Sequence, residues 1–221
     1  MNDIAQFFSD SDPSNVSTSI KMMLLLTVLS LAPAILILMT SFARIVIVLS
    51  FVRTALATQQ MPPNQVIVGL ALFLTFFIMA PTFQQVNDNA LTPLFAEEIS
   101  LDEAYEEASI PLKEFMSKHT RQKDLELFLR YNKADRPESL EDISLTMLVP
   151  AFALSEIKTA FQMGFMIFIP FLVIDMIVAS ILMSMGMMML PPVMISLPFK
   201  ILLFVLVDGW YLIIKSLLQS F

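Results

Sequence analysis

Apolar stretches, each long enough to cross a membrane as a helix, occur in two pairs along this chain. Met22–Phe42 contains 21 residues without a charge, and the apolar pattern resumes after Arg44 and continues to Val52. The other three runs are Val66–Phe83, Ala160–Leu190 and Val193–Leu218. Because a spanning helix needs about 20 mostly apolar residues, the pattern predicts an all-α membrane protein with about four long apolar helices.

Prolines mark the turns within each pair of runs. Pro62–Pro63 separates the first run from the second, and Pro191–Pro192 separates the third from the fourth. A double proline cannot continue a helix, so each pair is predicted to form a hairpin. Pro33 and Pro170 lie inside apolar runs, where a lost backbone hydrogen bond bends a helix. The long helices are therefore expected to be kinked.

An acidic polar segment separates the two hairpins. Residues 84–148 contain 14 acidic and 7 basic residues, which accounts for the whole net charge of −7. Ser100 followed by Glu103 is a capping box, which predicts a helix start, and we interpret the segment as short amphipathic helices. The predicted organisation is a polar N-terminal segment (1–20), a first hairpin (21–83), the acidic insertion (84–148) and a second hairpin (149–221).

The positions of the basic residues predict an orientation. Arg44 and Arg53 flank the short loop at 54–65, which the positive-inside rule places in the cytoplasm. The N-terminus and the acidic insertion are then extracytoplasmic. Because no basic region precedes a short apolar core, a typical signal peptide is not expected.

The composition disfavours enzymatic chemistry. There is no cysteine for a thiol hydrolase, and His119, the only histidine, lies in the polar segment, which disfavours a serine hydrolase. Four glycines leave no phosphate-binding loop, and the carboxylates are too scattered for a metal site. Asp175 and Asp208 lack the surroundings of an intramembrane aspartyl protease. The acidity excludes a nucleic-acid partner. We predict a non-enzymatic protein without cofactor or metal.

Charges in apolar surroundings are the candidate functional residues. Arg44, Asp175 and Asp208 are predicted to be buried, because an ionisable group in a membrane helix needs a partner or water. Glu156 and Lys200 are expected to form an ion pair, within a chain or between copies. Asp175, among large apolar residues, would carry protons or accept hydrogen bonds from a neighbouring helix.

A methionine-rich stretch precedes the second double proline. Met185, Met187, Met188 and Met189 lie between Ser184 and the prolines, so they are predicted to lie at a helix end or in a loop. Two interpretations are open. Methionine fills gaps between helices, or a flexible apolar loop seals a pore around cargo of irregular shape.

Seven motifs closely resemble the FliP family of flagellar type III export proteins, and the resemblance covers nearly the whole chain. They are Ser41–Arg53, Met61–Gln65, Leu70–Thr75, Phe165–Phe171, Met185–Pro192, Leu197–Lys200 and Val207–Trp210. Injectisome homologues share the outline, but the acidic segment and the Asp208-Gly209-Trp210 ending resemble the flagellar branch.

The resemblance implies a core component of an export gate. Such a protein would be a homo-oligomer, a pentamer, that forms a channel with FliQ and FliR beside FlhB and FlhA. Unfolded flagellar subunits would pass through it across the bacterial cytoplasmic membrane, at the flagellar basal body. Much of the helical mass would then lie outside the bilayer. The alternative, from the residues alone, is a small-solute or ion transporter with Asp175 and Asp208 as coupling acids.

The resemblance also assigns roles to residues. Met187, Met188 and Met189, with Met185, match a methionine loop that lines the constriction as a gasket. Glu156 and Lys200 match positions that form an ion pair between subunits.

Overall fold

The computed structural model describes residues 23, 26, 27, 30, 33–58, 60–132, 137, 139, 142–187 and 189–221. The predicted polar segment 1–20 lies outside these residues. They fall into two compact units, Met1–Ile37 and Leu38–Phe221. In the first unit residues 33–37 are helical, and the second unit holds all the helices labelled below. The described residues contain no β-strand.

Eight labelled α-helices follow one another in the described part of the larger unit. They are α1 (Phe42–Ala55), α2 (Asn64–Val86), α3 (Thr92–Phe95), α4 (Leu101–His119), α5 (Gln122–Tyr131), α6 (Leu145–Ser184), α7 (Pro192–Leu206) and α8 (Gly209–Leu218). A π-helix, Asn87–Leu91, joins α2 to α3 without a loop.

The core of the larger unit forms where α1 packs along α6, the most extensive helix contact in the chain. Ile45, Val48, Leu49 and Val52 are buried at helical spacing, so they make one apolar stripe on α1. Helix α2 packs beside α1, and α7 packs beside α6. Helices α1 and α2 therefore form one packed pair and α6 and α7 another, and the two pairs are held together through α1 and α6.

Among the described residues, two helical stretches are long and apolar enough to span a membrane. They are Asn64–Phe95, with 32 residues, and Leu145–Ser184, with 40 residues. The number rises to four if the bent pairs Pro33–Met39 with α1, and α7 with α8, each count as one span. The predicted class, an all-α membrane protein with long, bent apolar helices, is confirmed, with two to four candidate spans where about four were predicted. Only 11% of the most apolar window of α6 is buried, so most of its surface is free to contact lipid or protein.

Helix α6 begins well before Ala160–Leu190, the apolar run that predicted it. Ser144 caps its first turn by accepting a hydrogen bond from the Thr146 amide, 16 residues before the run begins at Ala160. The helix then continues past Pro150 and Pro170. At 1.5 Å per residue its 40 residues measure about 60 Å, roughly twice the hydrocarbon thickness of a bilayer. Part of α6 must therefore lie outside the hydrocarbon.

The interruption of the first apolar run falls at Thr40 and Ser41, seven residues after Pro33. Thr40 Oγ1 accepts a hydrogen bond from the amide of Phe42, the first residue of α1. The threonine hydroxyl thus competes with the helical bonding pattern at the point where α1 begins.

The acidic insertion forms amphipathic helices packed on α6. The predicted capping box is present: the Glu103 amide donates to Ser100 Oγ, and the Ser100 amide donates to Glu103 Oε2. Met116 of α4 joins Leu148 and Phe152 of α6 in a buried apolar cluster. At the next helix, Arg121 N donates to Ser155 Oγ, which itself donates to Asp124 Oδ2. Both apolar and polar contacts therefore attach the insertion to α6.

Candidate functional site: buried ion pairs and an exposed methionine turn

The deepest charged site joins Arg44 of α1 to Glu156 of α6. Arg44 Nε donates to Glu156 Oε2 at 2.9 Å, and Nη2 donates to Oε1 of the same carboxylate. Both side chains are buried. A two-pronged guanidinium–carboxylate pair satisfies both charges where water has no access, which makes burial of the charges tolerable.

The same guanidinium also fixes the residues that follow α8. Arg44 Nη1 donates to the carbonyl oxygen of Ser220 at 2.8 Å and to its Oγ at 3.0 Å. Its Cζ atom lies 3.9 Å from the centroid of the Phe221 ring, within the range of a cation–π contact. Arg44 therefore connects α1, α6 and the end of α8.

A second buried charge, Lys200 of α7, connects three helices. Its Nζ lies 2.6 Å from Asp175 Oδ2 on α6 and donates to the carbonyl oxygen of Ala55, at the end of α1, at 3.3 Å. Ser196 Oγ donates to the other oxygen of Asp175. The lysine is almost fully buried, whereas the aspartate side chain is 20% exposed. Asp175 therefore accepts hydrogen bonds from a neighbouring helix, one of the two roles considered for it.

Glu156 and Lys200 were expected to pair with each other, but within one chain each pairs with a different residue. Glu156 pairs with Arg44, and Lys200 pairs with Asp175. A pair between Glu156 and Lys200 of separate subunits concerns an assembly and stays a prediction. The sequence identifies Arg44 and Asp175 as charged residues in apolar runs that need partners, but it does not say which partners these would be.

Asp208 does not share the buried position of Arg44. It lies between α7 and α8 with a left-handed backbone (φ 52°, ψ 54°), and it is exposed in this single chain. The expectation of burial rested on the surrounding apolar letters. It was wrong for the single chain because α7 ends at Leu206, so Asp208 occupies a bend.

Three hydroxyl groups complete these sites and were not identified from the sequence. Ser155, Ser196 and Ser220 contact Asp124, Asp175 and Arg44, respectively. A serine inside an apolar run carries no signal of its partner, because it also bonds readily to its own helix.

Met185, Met187 and Met189 occupy the turn between α6 and α7. Helix α6 ends in a Schellman motif, in which the Met187 amide donates to the Leu182 carbonyl and the Gly186 amide donates to the Met183 carbonyl. Gly186 takes the left-handed conformation that this motif requires, with φ 74°. Pro191 and Pro192 then begin α7. The predicted position at a helix end or in a loop is confirmed for Met185, Met187 and Met189.

The described methionine side chains of this turn point away from the chain's own core. Met185 is 65% exposed, Met187 37% and Met189 97%, while Met188 lies outside the described residues. The interpretation that methionine fills gaps between helices of one chain therefore does not apply to Met185 and Met189.

In the described part of the chain, no group of three or more histidine, aspartate or glutamate side chains could hold a metal ion.

These features define an all-helical membrane protein whose polar interior consists of buried charge pairs and which presents a soft apolar turn. A model of the FliP family matches residues 25–217. The chain belongs to the FliP family.

The relatives carry the same family name. The flagellar biosynthetic protein FliP of Bacillus subtilis (strain 168) is 76% identical over 221 residues, which cover 100% of both chains. FliP of Caulobacter vibrioides is 55% identical over 197 residues, covering 89% of this chain and 74% of the relative. FliP of Aquifex aeolicus is 52% identical over 209 residues, covering 94% and 87%.

Proposed function

We propose that this chain is a core subunit of the flagellar type III protein export gate. Copies of the chain form a ring, a pentamer, that joins FliQ and FliR in a channel at the base of the flagellum. Unfolded flagellar subunits cross the cytoplasmic membrane through this channel, and FlhA and FlhB lie beside it in the export apparatus. Membership of the FliP family over residues 25–217 is the observation that carries the proposal.

The methionine turn is the proposed gasket. Met185, Met187 and Met189 are exposed at the end of the longest apolar hairpin. Thioether side chains are unbranched and adaptable, so several copies facing one axis would close around an unfolded polypeptide of any sequence. With no polypeptide present, the same apolar ring would exclude ions by dewetting the constriction.

The surface of α6 supports an assembled state. The helix is about 60 Å long, and most of its apolar window is unburied. Lipid can cover only about half of that length. In a ring of copies with FliQ and FliR, protein partners would cover any apolar surface of α6 that lies outside the lipid.

Site-specific crosslinking tests the channel path. The chain has no native cysteine, so Met189→Cys would provide a single thiol on an exposed residue of the turn. A flagellar export substrate carrying a folded tag and a single introduced cysteine would be stalled in export and treated with a bifunctional thiol crosslinker. We expect a substrate adduct at Met189→Cys that forms only in export-competent cells.

Met61→Cys is the matched control. Met61 is also exposed and also precedes a double proline, but it belongs to the turn between α1 and α2. Equal adducts at both positions, or an adduct only at Met61→Cys with the complex assembled, would remove the methionine turn from the path.

An ion pair between Glu156 of one subunit and Lys200 of the next is part of the proposal, and charge exchange tests it. Within one chain these residues contact Arg44 and Asp175. If subunits exchange partners on assembly, Glu156→Lys combined with Lys200→Glu should restore motility lost in each single variant. If only the pairs within the chain matter, restoration should come from Arg44→Glu combined with Glu156→Arg.

A further inference from the structure

Helix α8 leaves α7 through a sharp bend that has an unfavourable backbone. The two helix axes differ by 62° in direction. Asp208, at the bend, has φ 52°, a left-handed conformation that an L-residue other than glycine adopts at a cost. Beyond it, Trp210 packs edge-on against Phe204 with ring centroids 5.4 Å apart. The bent arrangement therefore needs other contacts to hold it.

Those contacts lie at the far end of α8. Ser220 receives two hydrogen bonds from Arg44, and the Phe221 ring lies under the same guanidinium. The Phe221 ring also stacks on Phe115 of α4, with centroids 6.2 Å apart and planes 15° apart, and lies 5.2 Å from the ring of His119. The end of α8 is thus fastened to both α1 and the acidic insertion.

Arg44 is bound more strongly to Glu156 than to the end of α8. Arg44 is held by Glu156, and both are buried, so separating that pair would leave an unpaired charge in the interior. Ser220 and Phe221 contribute a neutral acceptor and one ring at a half-buried position. When the contact opens, α8 therefore leaves and Arg44 stays.

We propose that α8 is a releasable strap. Its far end is clamped by Arg44, Phe115 and His119, and the left-handed bend at Asp208 favours straightening once the clamp opens. The closed strap covers Ile213 and Leu217, which are buried on the inner side of α8. Release would uncover this apolar face and the outer side of the Arg44–Glu156 pair.

Thiol reactivity of the full-length chain measures release. Leu217→Cys places a thiol on a fully buried residue of α8, in a chain without other cysteines. N-ethylmaleimide should modify it slowly in the detergent-solubilised chain. Adding Phe221→Ala should raise the rate about tenfold, the factor expected from losing roughly 1.4 kcal/mol of ring contacts.

Ala71→Cys is the control for general loosening, since Ala71 is equally buried but lies on α2, which carries none of the residues that clamp Phe221. The Phe221→Ala change should leave its rate unchanged. Equal acceleration at both cysteines, or none at Leu217→Cys, would overturn the strap.

A second variant tests the bend separately and does not depend on the stability of Phe221→Ala. Asp208→Gly removes the cost of the left-handed backbone and should favour the closed strap, lowering the rate at Leu217→Cys. The emission of Trp210, the only tryptophan, should shift less on heating below the unfolding transition. A faster rate in Asp208→Gly would overturn the role of the bend.

Discussion

Arg44 and Glu156 are separated by 112 residues of sequence, yet they form a two-pronged ion pair in the interior of the chain. Their helices, α1 and α6, also share the main apolar contact of the fold. The pair therefore lies at the joint between the two hairpins, where it specifies how they meet and where losing one partner is costly.

The first prediction concerns this joint. Glu156→Gln or Arg44→Met should each lower the free energy of unfolding by about 3–5 kcal/mol, because each leaves the other group buried and unpaired. Arg44→Met combined with Glu156→Leu should recover most of that loss, since no charge then remains inside. Denaturant unfolding of the solubilised chain measures both effects. Additive losses in the double variant would show that the two residues are not coupled.

The pair between Asp175 and Lys200 predicts an asymmetry. Asp175→Asn leaves a buried ammonium whose remaining acceptor is the Ala55 carbonyl, whereas Lys200→Met leaves a carboxylate that is 20% exposed. We expect Asp175→Asn to cost about 3 kcal/mol and Lys200→Met roughly half as much, because partial hydration relieves the carboxylate. Thermal unfolding of the two variants side by side decides the order. The reverse order would mean that the lysine, once unpaired, reaches water.

Two glycines give opposite predictions for the same substitution. A Cβ atom at Gly164 of α6 would overlap the Phe51 ring of α1, and Phe51 Cβ would lie only 2.9 Å away. Gly164→Ala should therefore destabilise the chain by about 1–3 kcal/mol through overpacking. Gly69, within α2, has nothing within 4 Å of the same position, so Gly69→Ala should stabilise by up to about 1 kcal/mol through helix propensity. Melting temperatures that move the same way would contradict the close approach of α1 to α6.

The capping box predicts a local dependence on pH. The Ser100 amide, and next its hydroxyl, hold the pKa of Glu103 below its ordinary value of 4.5. The contribution of the Glu103 carboxylate to stability is therefore complete above that value and is lost as pH falls through the lowered pKa. Amide exchange in the first turn of α4 should accelerate below about pH 4.5. Glu103→Gln should abolish that dependence, whereas Glu107→Gln, a matched charge removal in the same helix, should keep it.

How much of this fold could be predicted depended on whether the signal was local. The Ser100–Glu103 cap and the methionines at the end of α6 rest on residues close together in sequence, and both are present. Apolar runs predicted the helices but not their full extents. Asn87–Leu91 continues helically despite its polar composition, because helices also form on amphipathic surfaces that pack on neighbours.

The partners of the buried charges could not be predicted in the same way. Sequence marked Glu156 and Lys200 as charges needing partners, but several such charges exist and pairing depends on which helices meet. Asp208 was predicted to be buried because its neighbours in sequence are apolar, but it lies at a bend, where such neighbours do not cover it. Tertiary packing decides both, and a single sequence carries no direct measure of it.

The last prediction concerns the seal. Replacing Met185, Met187 and Met189 by alanine should leave the gate assembled but raise the ion permeability of membranes that contain it. Alanine lacks the flexible thioether of methionine. A ring of alanine variants would therefore have a water-filled opening at the constriction that the methionine ring closes. Ion flux into vesicles carrying the purified gate measures the leak directly.

The control for that experiment removes the same number of exposed methionines elsewhere. Met61, Met166 and Met176 are comparably exposed but lie outside the turn between α6 and α7, so their replacement by alanine should not raise the flux. If the three turn methionines can be removed from an assembled gate with no rise in flux, the closure must lie at another constriction. The same adaptability of methionine would then serve packing against neighbouring subunits, which predicts weaker assembly in place of leakage.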